Sequence, residues 1–344
     1  MNNTQSSESL KNDLKELSFY LGNNLDWVQG AGGNTSLKTN ETLWVKASGY
    51  WLSDAKNDIF VPLSRKMVLD KISSDEEDLS TSRIHKNEYQ DLRPSIETTL
   101  HALMPHKFVI HTHSVNVISY AVLKDCKQLL KEKLNDLNWL WVPYVRPGLP
   151  LTKRLKAANI SNFDVIILAN HGLVIGADSK EEVLALINKV EKRLFRPLRK
   201  KSINTNVRKI INALDLLDYK LPKYDFCHSL AQDKFSMKVL SENALYPDHV
   251  IFLGPGKIPV ISYEDLKNRI KKETLNKNYK AIVIKELGVL VNKAVSENAE
   301  EMLHCLTNVL LRVESHDELQ FLKDSEEAEL LGWDAEKYRK LIKR

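Results

Sequence analysis

Apolar residues follow two patterns along this chain. Apolar residues recur every three or four positions over residues 10–23, which predicts an amphipathic helix. Short uninterrupted apolar runs at residues 108–110 and 165–168 predict buried strands. The second run is followed by a glycine turn and more apolar residues, so residues 165–175 indicate a hairpin. Strands alternating with helices predict an α/β fold, and the hairpin indicates that its sheet is not parallel.

The same periodicity, with proline and capping signals, predicts four more helices. They are expected near residue 64 and over residues 95–103, 124–138 and 181–198. Residues 139–150 are rich in aromatic residues and proline, and this composition predicts a loop.

A basic run at residues 192–201 ends the first patterned region. We therefore predict a catalytic domain over residues 1–200, a helical connector over 201–245 and a C-terminal α/β extension over 246–344. The basic run is interpreted as a solvated helix end, where positive charge also favours the helix dipole. Binding of a polyanion by this run is the less favoured alternative, because no nucleic-acid motif accompanies it.

One pattern occurs twice. Residues 165–175 and residues 281–291 both read strand, glycine turn, strand, and a predicted helix follows each. The second copy has Leu287 where the first has His171. A duplicated unit without the histidine would be structural or would cover substrate. Shared secondary-structure patterning explains the similarity about as well as duplication does.

The composition is that of an ordinary globular protein. The 344 residues are 43% hydrophobic, which is enough for a sizeable core. The net charge of +5 is too small to indicate a nucleic-acid partner, although it is compatible with acidic small substrates. Three scattered cysteines fit a reducing compartment, and neither a leader nor an apolar run of membrane length is evident. These features predict a cytoplasmic protein without a membrane partner.

Three histidines and one glutamate form the candidate chemical site. His111 and His113 follow an apolar run, and on an extended strand both imidazoles point to the same face. His171 follows the next apolar run, and Glu97 precedes His111 by fourteen residues. Three imidazoles, an open position and a nearby carboxylate are typical of a catalytic zinc site. A His-x-His taken alone is more often a pair of ordinary strand histidines.

Four segments together resemble the class II aldolase and adducin family. They are GAGGNTS at residues 30–36, LWVKASG at 43–49, PSIETTLHALMP at 94–105 leading into the His-x-His, and ANHGL at 169–173. The chain is most similar to the aldolase portion of bifunctional rhamnulose-1-phosphate aldolase/alcohol dehydrogenase proteins, over most of its length. The resemblance implies a central, largely antiparallel sheet flanked by helices, with a smaller α/β C-terminal extension.

Two departures from those proteins matter. They usually carry aspartate where this chain has Glu97, and their dinucleotide-binding domain is not found here. No Gly-x-Gly-x-x-Gly follows a strand, so no nicotinamide cofactor is predicted.

The resemblance implies a metal-dependent aldolase that cleaves or forms a ketose phosphate through a metal-stabilised enediolate. His111, His113 and His171 are the expected ligands, and zinc is the expected metal because it suits three imidazoles. Glu97 is the expected acid/base. The alternative for Glu97 is an exposed glutamate in the first turn of a helix, where the dipole favours its charge. His101, one helical turn further on, is expected to pack or to hydrogen-bond structurally.

A phosphate pocket is also implied. Its candidates are glycines and polar residues of three segments, namely Gly32, Gly33, Asn34, Thr35, Lys46, Ser48, Gly49 and Ser95. A glycine loop taken alone is more often a plain tight turn. For Lys46, the solvent face of its strand is the open alternative.

Other functions on the same scaffold stay open. A sugar-phosphate epimerase or a sugar-acid-phosphate decarboxylase would share the enediolate. A non-catalytic assembly domain like that of adducin is less favoured, because there the metal histidines are missing. Family members are commonly tetramers with active sites at subunit interfaces, so a homo-oligomer is expected.

Overall fold

A computed structural model of the chain describes residues 6–84, 89, 91–199 and 218–341. The chain divides into two compact units. The first comprises Met1–Ala121, Asp125–Phe195 and Lys337–Lys343, and the second comprises Val122–Lys124 and Arg196–Glu336 with the last residue. Residues 201–217 of the predicted connector lie outside the described residues. Within the described part of the chain, no helix is both long and apolar enough to cross a bilayer.

A seven-stranded sheet forms the centre of the first unit. Its strands are β1 (Asn34–Lys38), β2 (Thr42–Lys46), β3 (Phe60–Ser64), β4 (Phe108–Thr112), β5 (Trp139–Val142), β6 (Val165–Leu168) and β7 (Gly172–Ala177). The order across the sheet is β3-β2-β1-β4-β7-β6-β5, and every pair is antiparallel except β5 with β6. The prediction of a largely antiparallel sheet is confirmed.

Helices flank this sheet, as the α/β prediction requires. They are α1 (Ser7–Gly22), α2 (Arg65–Ser73), α3 (Thr98–Leu103), α4 (Val115–Ala121), α5 (Cys126–Lys133), α6 (Leu149–Ala157) and α7 (Lys180–Arg193). Every residue of β4, β6 and β7 is buried, which explains why these strands are continuous apolar runs and not alternating ones. β4 lies between β1 and β7, where His111 is paired with Asn34 on one side and with Val174 on the other.

Three sequence predictions need correction. The predicted loop at residues 139–150 contains β5 and the start of α6, because the four residues of β5 pair in parallel with β6. The helix expected from residue 95 begins at Thr98, since Ser95 is held in a turn by its hydrogen bond to Lys46. The helix expected over residues 181–198 ends at Arg193, ahead of Pro197.

The second unit has its own four-stranded sheet. Its strands are β8 (Tyr219–Lys220), β9 (Val260–Ile261), β10 (Ala281–Ile284) and β11 (Gly288–Asn292), in the order β8-β11-β10-β9. The helices described in this unit and at the chain end are Lys234–Leu240, Tyr263–Lys271, Glu297–Arg312, Asp324–Gly332 and Asp334–Leu341, with a short π-helix at His249–Leu253. The extension is therefore α/β, as predicted.

The repeated sequence pattern corresponds to two hairpins with the same turn. Leu168 pairs with Gly172 across the β6–β7 turn, and Ile284 pairs with Gly288 across the β10–β11 turn. The second residue of each turn has a left-handed backbone, with φ of 51° at Asn170 and 65° at Glu286. The next position holds the histidine in one hairpin and Leu287 in the other. The two hairpins thus share the geometry of the turn, but the second has no histidine at the position of His171.

Lys38, at the end of β1, is an unusual member of the core. It is almost fully buried, and its ammonium donates a 2.8 Å hydrogen bond to the carbonyl oxygen of His101 near the end of α3. Burial, with a smaller effect of nearby Arg65, lowers the pKa of Lys38 to about 7, while Asp178 opposes the shift. This hydrogen bond gives a partner to a carbonyl group at the end of the helix, where carbonyls lack partners within the helix. Burial also makes the charged form of the lysine less favourable than it is in water.

Lys38 should therefore make stability depend on pH. Between pH 7 and the unfolded pKa near 10.5, the unfolded chain binds the proton and the folded chain does not, so the free energy of unfolding rises with pH. Between pH 7 and 9.5, we expect the free energy of unfolding of Lys38→Met to rise by about 2–3 kcal/mol less than that of the wild type. Urea unfolding at both pH values measures this difference. Lys66→Met, which removes an exposed lysine of α2, is the control, and an equal gain in both variants would contradict the assignment.

Candidate active site

The three predicted histidines converge at one end of the central strands. His111 is the fourth residue of β4, His113 lies just past the end of the strand, and His171 occupies the β6–β7 turn. Their exposed fractions are 0%, 5% and 7%, and one ring nitrogen from each lies within 4.8 Å of those of the other two.

A backbone contact fixes the orientation of the central imidazole. Nδ1 of His111 lies 3.0 Å from the carbonyl oxygen of Leu173, an acceptor only, so Nδ1 must carry the proton and donate. Nε2 then presents its lone pair to the site, where it lies 3.1 Å from Nε2 of His113. This is the arrangement by which proteins orient an imidazole that ligates a metal.

Two glycines allow the rings to come this close. A Cβ at Gly172 would lie 2.4 Å from the carbonyl oxygen of Thr112, and a Cβ at Gly32 would lie 2.8 Å from Nδ1 of His113. Any side chain at these positions would displace the β4–β7 pair or the His113 ring. The glycine loop is therefore more than a plain tight turn, because it packs directly on the histidine cluster.

Glu97 lies beside the histidines and not on the surface. It caps α3, is 4% exposed, and places Oε2 3.4 Å from Nε2 of His111 and Oε1 3.6 Å from Nε2 of His171. The alternative of an exposed first-turn glutamate is wrong. The side-chain amide of Asn34 donates a 2.8 Å hydrogen bond to Oε2, whereas Oε1 has no hydrogen-bond partner although it is buried.

The surroundings keep this carboxylate ionised. Burial alone would raise the pKa of Glu97, but His111, His171 and the Asn34 amide together outweigh burial and lower it to about 2. The site thus holds a permanent negative charge against a group of imidazoles.

The donor set fits one divalent cation. Nitrogen ligands of a tetrahedral zinc ion lie about 3.3–3.4 Å apart, given zinc–nitrogen distances of about 2.0–2.1 Å. The 3.1 Å separation of Nε2 of His111 from Nε2 of His113 is close to this value, and one ring nitrogen from each of the three histidines lies within 4.8 Å of those of the other two. A buried carboxylate oxygen without a hydrogen-bond partner also needs a cation or a donor nearby.

The predicted phosphate residues are partly assembled around this centre. The backbone N–H of Ser95 donates to the carbonyl oxygen of Lys46 at 3.0 Å, and that of Ser48 donates to Arg93 at 2.7 Å, so the end of β2 is paired with the segment before α3. The ammonium of Lys46 reaches the carbonyl oxygens of Tyr50 at 2.5 Å and Ala31 at 3.3 Å. The glycine loop and both serine segments are therefore linked.

The structure decides between the two alternatives for Lys46 and places Thr35 differently from its prediction. Lys46 is buried, so the alternative on the solvent face of the strand is wrong. Thr35 is also buried, but its hydroxyl lies 2.6 Å from that of Ser18 on α1, on the face of β1 opposite to Asn34. The structure does not bring the Thr35 side chain to the cluster. Gly49 has φ of 83°, which a side chain would strain, and it follows Ser48 directly.

The site also contains residues that sequence reasoning missed. Ser36 contacts the ring of His101, and the side-chain amide of Gln29 donates to the carbonyl oxygen of His113 at 3.4 Å. The signal for Ser36 was the alternation of polar residues along β1, where Asn34, Ser36 and Lys38 share one face.

The first unit is thus an α/β unit whose largely antiparallel sheet carries three buried imidazoles and a buried carboxylate, a group that could hold a metal ion. The model of the class II aldolase and adducin N-terminal domain matches residues 16–194. The chain belongs to this family. The matched region contains every residue of the site described above.

The chain is also similar to individual proteins. An uncharacterized oxidoreductase, YuxG of Bacillus subtilis (strain 168), is 33% identical over 184 residues, which is 49% of this chain and 27% of the relative. The chain thus spans about a quarter of that protein. The N-terminal class II aldolase domain of a conserved protein from Thermoplasma acidophilum is 27% identical with a TM-score of 0.48, covering 56% of this chain and 97% of that domain. An L-fuculose 1-phosphate aldolase is 17% identical with a TM-score of 0.41, covering 56% and 86%.

Proposed function

We propose that this chain is a metal-dependent carbon–carbon lyase that cleaves or forms a ketose phosphate. The observation that carries the proposal is the buried cluster of His111, His113 and His171 with the ionised carboxylate of Glu97 against it. Family membership supports a lyase of the class II aldolase type, and class II aldolases use a divalent metal.

Zinc is the proposed metal. Three neutral imidazoles suit zinc, which needs no redox partner. Bound there, it would act as a Lewis acid that stabilises negative charge developing on substrate oxygens. Because all three ligands are neutral, the cation would keep its full double charge for this purpose.

Glu97 is the proposed acid/base. In cleavage, a hydroxyl proton leaves as the carbon–carbon bond breaks, and the electron pair of that bond remains on the ketose fragment, which then gains a proton at carbon. A base must lie within hydrogen-bond reach of these positions. The Glu97 carboxylate is buried, ionised near neutral pH, and held in place by Asn34, so it meets the requirements of charge and position.

The phosphate of the substrate is proposed to lie between the glycine loop and the two serine segments. The donors would be the backbone amide of Gly33 and the groups of Ser48, Gly49 and Ser95, with positive charge from the buried Lys46 ammonium. The backbone N–H of Gly32, predicted for the same pocket, donates instead to the carbonyl oxygen of Gln29 at 2.9 Å. The amide nitrogen of Asn34, predicted for the same pocket, is directed at Glu97 instead, so we assign Asn34 to the carboxylate.

Ser48→Ala and Ser95→Ala should weaken phosphate binding without loss of metal. Each removes a hydrogen bond to a charged group, so we expect a loss of about 1.5–3 kcal/mol, or roughly a 10- to 150-fold increase in the inhibition constant of a phosphorylated two-carbon hydroxamate. Competition assays measure this constant. Ser73→Ala, at an exposed position of α2, is the control. Equal inhibition of all three variants, or equal turnover of unphosphorylated sugars, would refute the pocket and leave the metal centre standing.

The reaction itself is tested with purified, zinc-loaded protein against a panel of ketose 1-phosphates and 5-phosphates. Aldol cleavage yields two carbonyl fragments from one substrate, and mass spectrometry should detect both. An isomer of unchanged mass would instead establish an epimerase, and release of carbon dioxide from a sugar-acid phosphate would establish a decarboxylase. Either result, without fragment pairs, overturns the lyase proposal.

Family resemblance also supports a homo-oligomer, with a tetramer as the expected state. Light scattering of the purified protein can measure it.

We also propose that the enzyme is cytoplasmic. The three cysteines, Cys126, Cys227 and Cys305, are all buried free thiols, which fits a reducing compartment.

A further inference from the structure

His101 is held by three alternating residues of β1. It is completely buried on α3, one turn beyond Glu97. Its Nδ1 lies 2.7 Å from the hydroxyl of Ser36, its Nε2 contacts Oδ1 of Asn34, and its carbonyl oxygen accepts from Lys38. A completely buried helix position of this kind would suit a leucine. The imidazole instead connects the polar residues of β1, through Asn34, to the carboxylate of Glu97.

The orientation of the Asn34 amide determines how this network is protonated. Its NH₂ group donates to Oε2 of Glu97, so its oxygen faces the His101 ring. The oxygen can only accept, which requires a proton on Nε2. Nδ1 then carries a lone pair and accepts from the Ser36 hydroxyl. Burial, with a smaller effect of Lys38, lowers the pKa of His101 to about 3, so the ring is neutral.

We propose that His101, in its Nε2-protonated form, is a positioning residue that fixes the Asn34 amide and through it the carboxylate of Glu97. This inference rests on the proposed function, because the positioned carboxylate is the acid/base of that reaction. Within the described residues, the His101 ring is the contact on the oxygen side of the Asn34 amide, and it favours the orientation in which the NH₂ group donates to Glu97. A flipped amide would direct its oxygen at Oε2 and repel it.

The first test is spectroscopic and needs no substrate. Ring nitrogen shifts of protein labelled with ¹⁵N-histidine distinguish the two neutral tautomers, and comparison with His101→Gln identifies the His101 signals. We expect a protonated Nε2 and an unprotonated Nδ1 near neutral pH in the zinc-loaded protein. A protonated Nδ1 overturns the proposal whatever the substrate is.

The second test separates positioning from packing. His101→Gln keeps an NH donor toward Asn34 and an oxygen toward Ser36, whereas His101→Leu keeps only the volume. We expect His101→Leu to lower kcat by about 10- to 100-fold, with KM changed less than about threefold and metal content unchanged, and His101→Gln to recover most of kcat. Equal losses in the two variants, or a normal kcat in His101→Leu, would show a structural role only.

A third variant covers the case in which His101→Leu does not fold. Ser36→Ala leaves the ring in place but removes the donor to Nδ1, so it should shift part of the His101 signal toward the other tautomer and lower kcat by a smaller factor. An unchanged tautomer together with an unchanged kcat contradicts the network. If the wild type turns over no sugar phosphate, the proposed function is wrong. The tautomer measurement then still tests the protonation of His101.

Discussion

Glu97→Gln is expected to retain the metal while turnover falls by roughly two to four orders of magnitude, the usual contribution of a general base. Glutamine keeps the shape of the side chain, and three imidazoles remain to hold the cation. What disappears is the proton acceptor and the negative charge beside His111 and His171. Elemental analysis of the purified variant, with kcat measured on the substrate found by screening, gives both quantities.

The chain provides a matched control for this substitution. Glu191 on α7 is also buried and also accepts a hydrogen bond from an asparagine, Asn116, at 2.9 Å. Burial raises the pKa of Glu191, whereas the histidines lower that of Glu97. We expect Glu191→Gln to keep kcat within a few-fold. A comparable fall in both variants would mean that buried charge in general, and not proton transfer at Glu97, supports turnover, and metal loss with a preserved rate in Glu97→Gln would reverse its assignment.

Loss of a single imidazole should abolish metal binding and turnover together. In His111→Ala and in His171→Ala, two ligands remain of three, and we expect zinc content to fall from near one ion per chain to less than roughly a tenth of that under the same purification. Activity should fall to background. Inductively coupled plasma analysis of dialysed protein measures the metal directly.

The control for the ligand variants is His228→Gln. His228 is buried in the second unit and accepts a hydrogen bond from the backbone N–H of Val289 at 3.0 Å, so its replacement tests the loss of a buried imidazole away from the cluster. It should leave zinc content unchanged. Near-stoichiometric zinc that persists in both alanine variants would show that the metal lies elsewhere.

Part of the proposed ligand set could be predicted from local rules. His111 and His113 share a face through the two-residue period of a strand, and His171 follows an apolar run that forms the predicted hairpin. The family motif added Glu97. The meeting of His171 with the other two histidines depends instead on the pairing of β4 with β7, and only the family resemblance pointed to it.

The rest of the site depends on contacts between distant segments. Asn34 was expected to bind phosphate, yet its amide lies against Glu97, because β1 pairs with β4 and brings residues 34 and 111 side by side. The same pairing directs Thr35 to the opposite face. The edge strand β5 was missed because its only partner, β6, is parallel and lies more than twenty residues away. Periodicity predicts an element, but it does not predict which element lies beside it.

The position of the site on β1, β4 and β7 has a consequence for how the protein folds. The residues from Asn34 to His171 come together only after β4 has paired on both sides, and such long-range antiparallel pairings are slow steps because they close large loops. The unfolded chain and its early local helices therefore have no assembled histidine cluster. A cation that binds only the completed sheet would stabilise the native state by mass action, so its capture would report that β4 has paired on both sides.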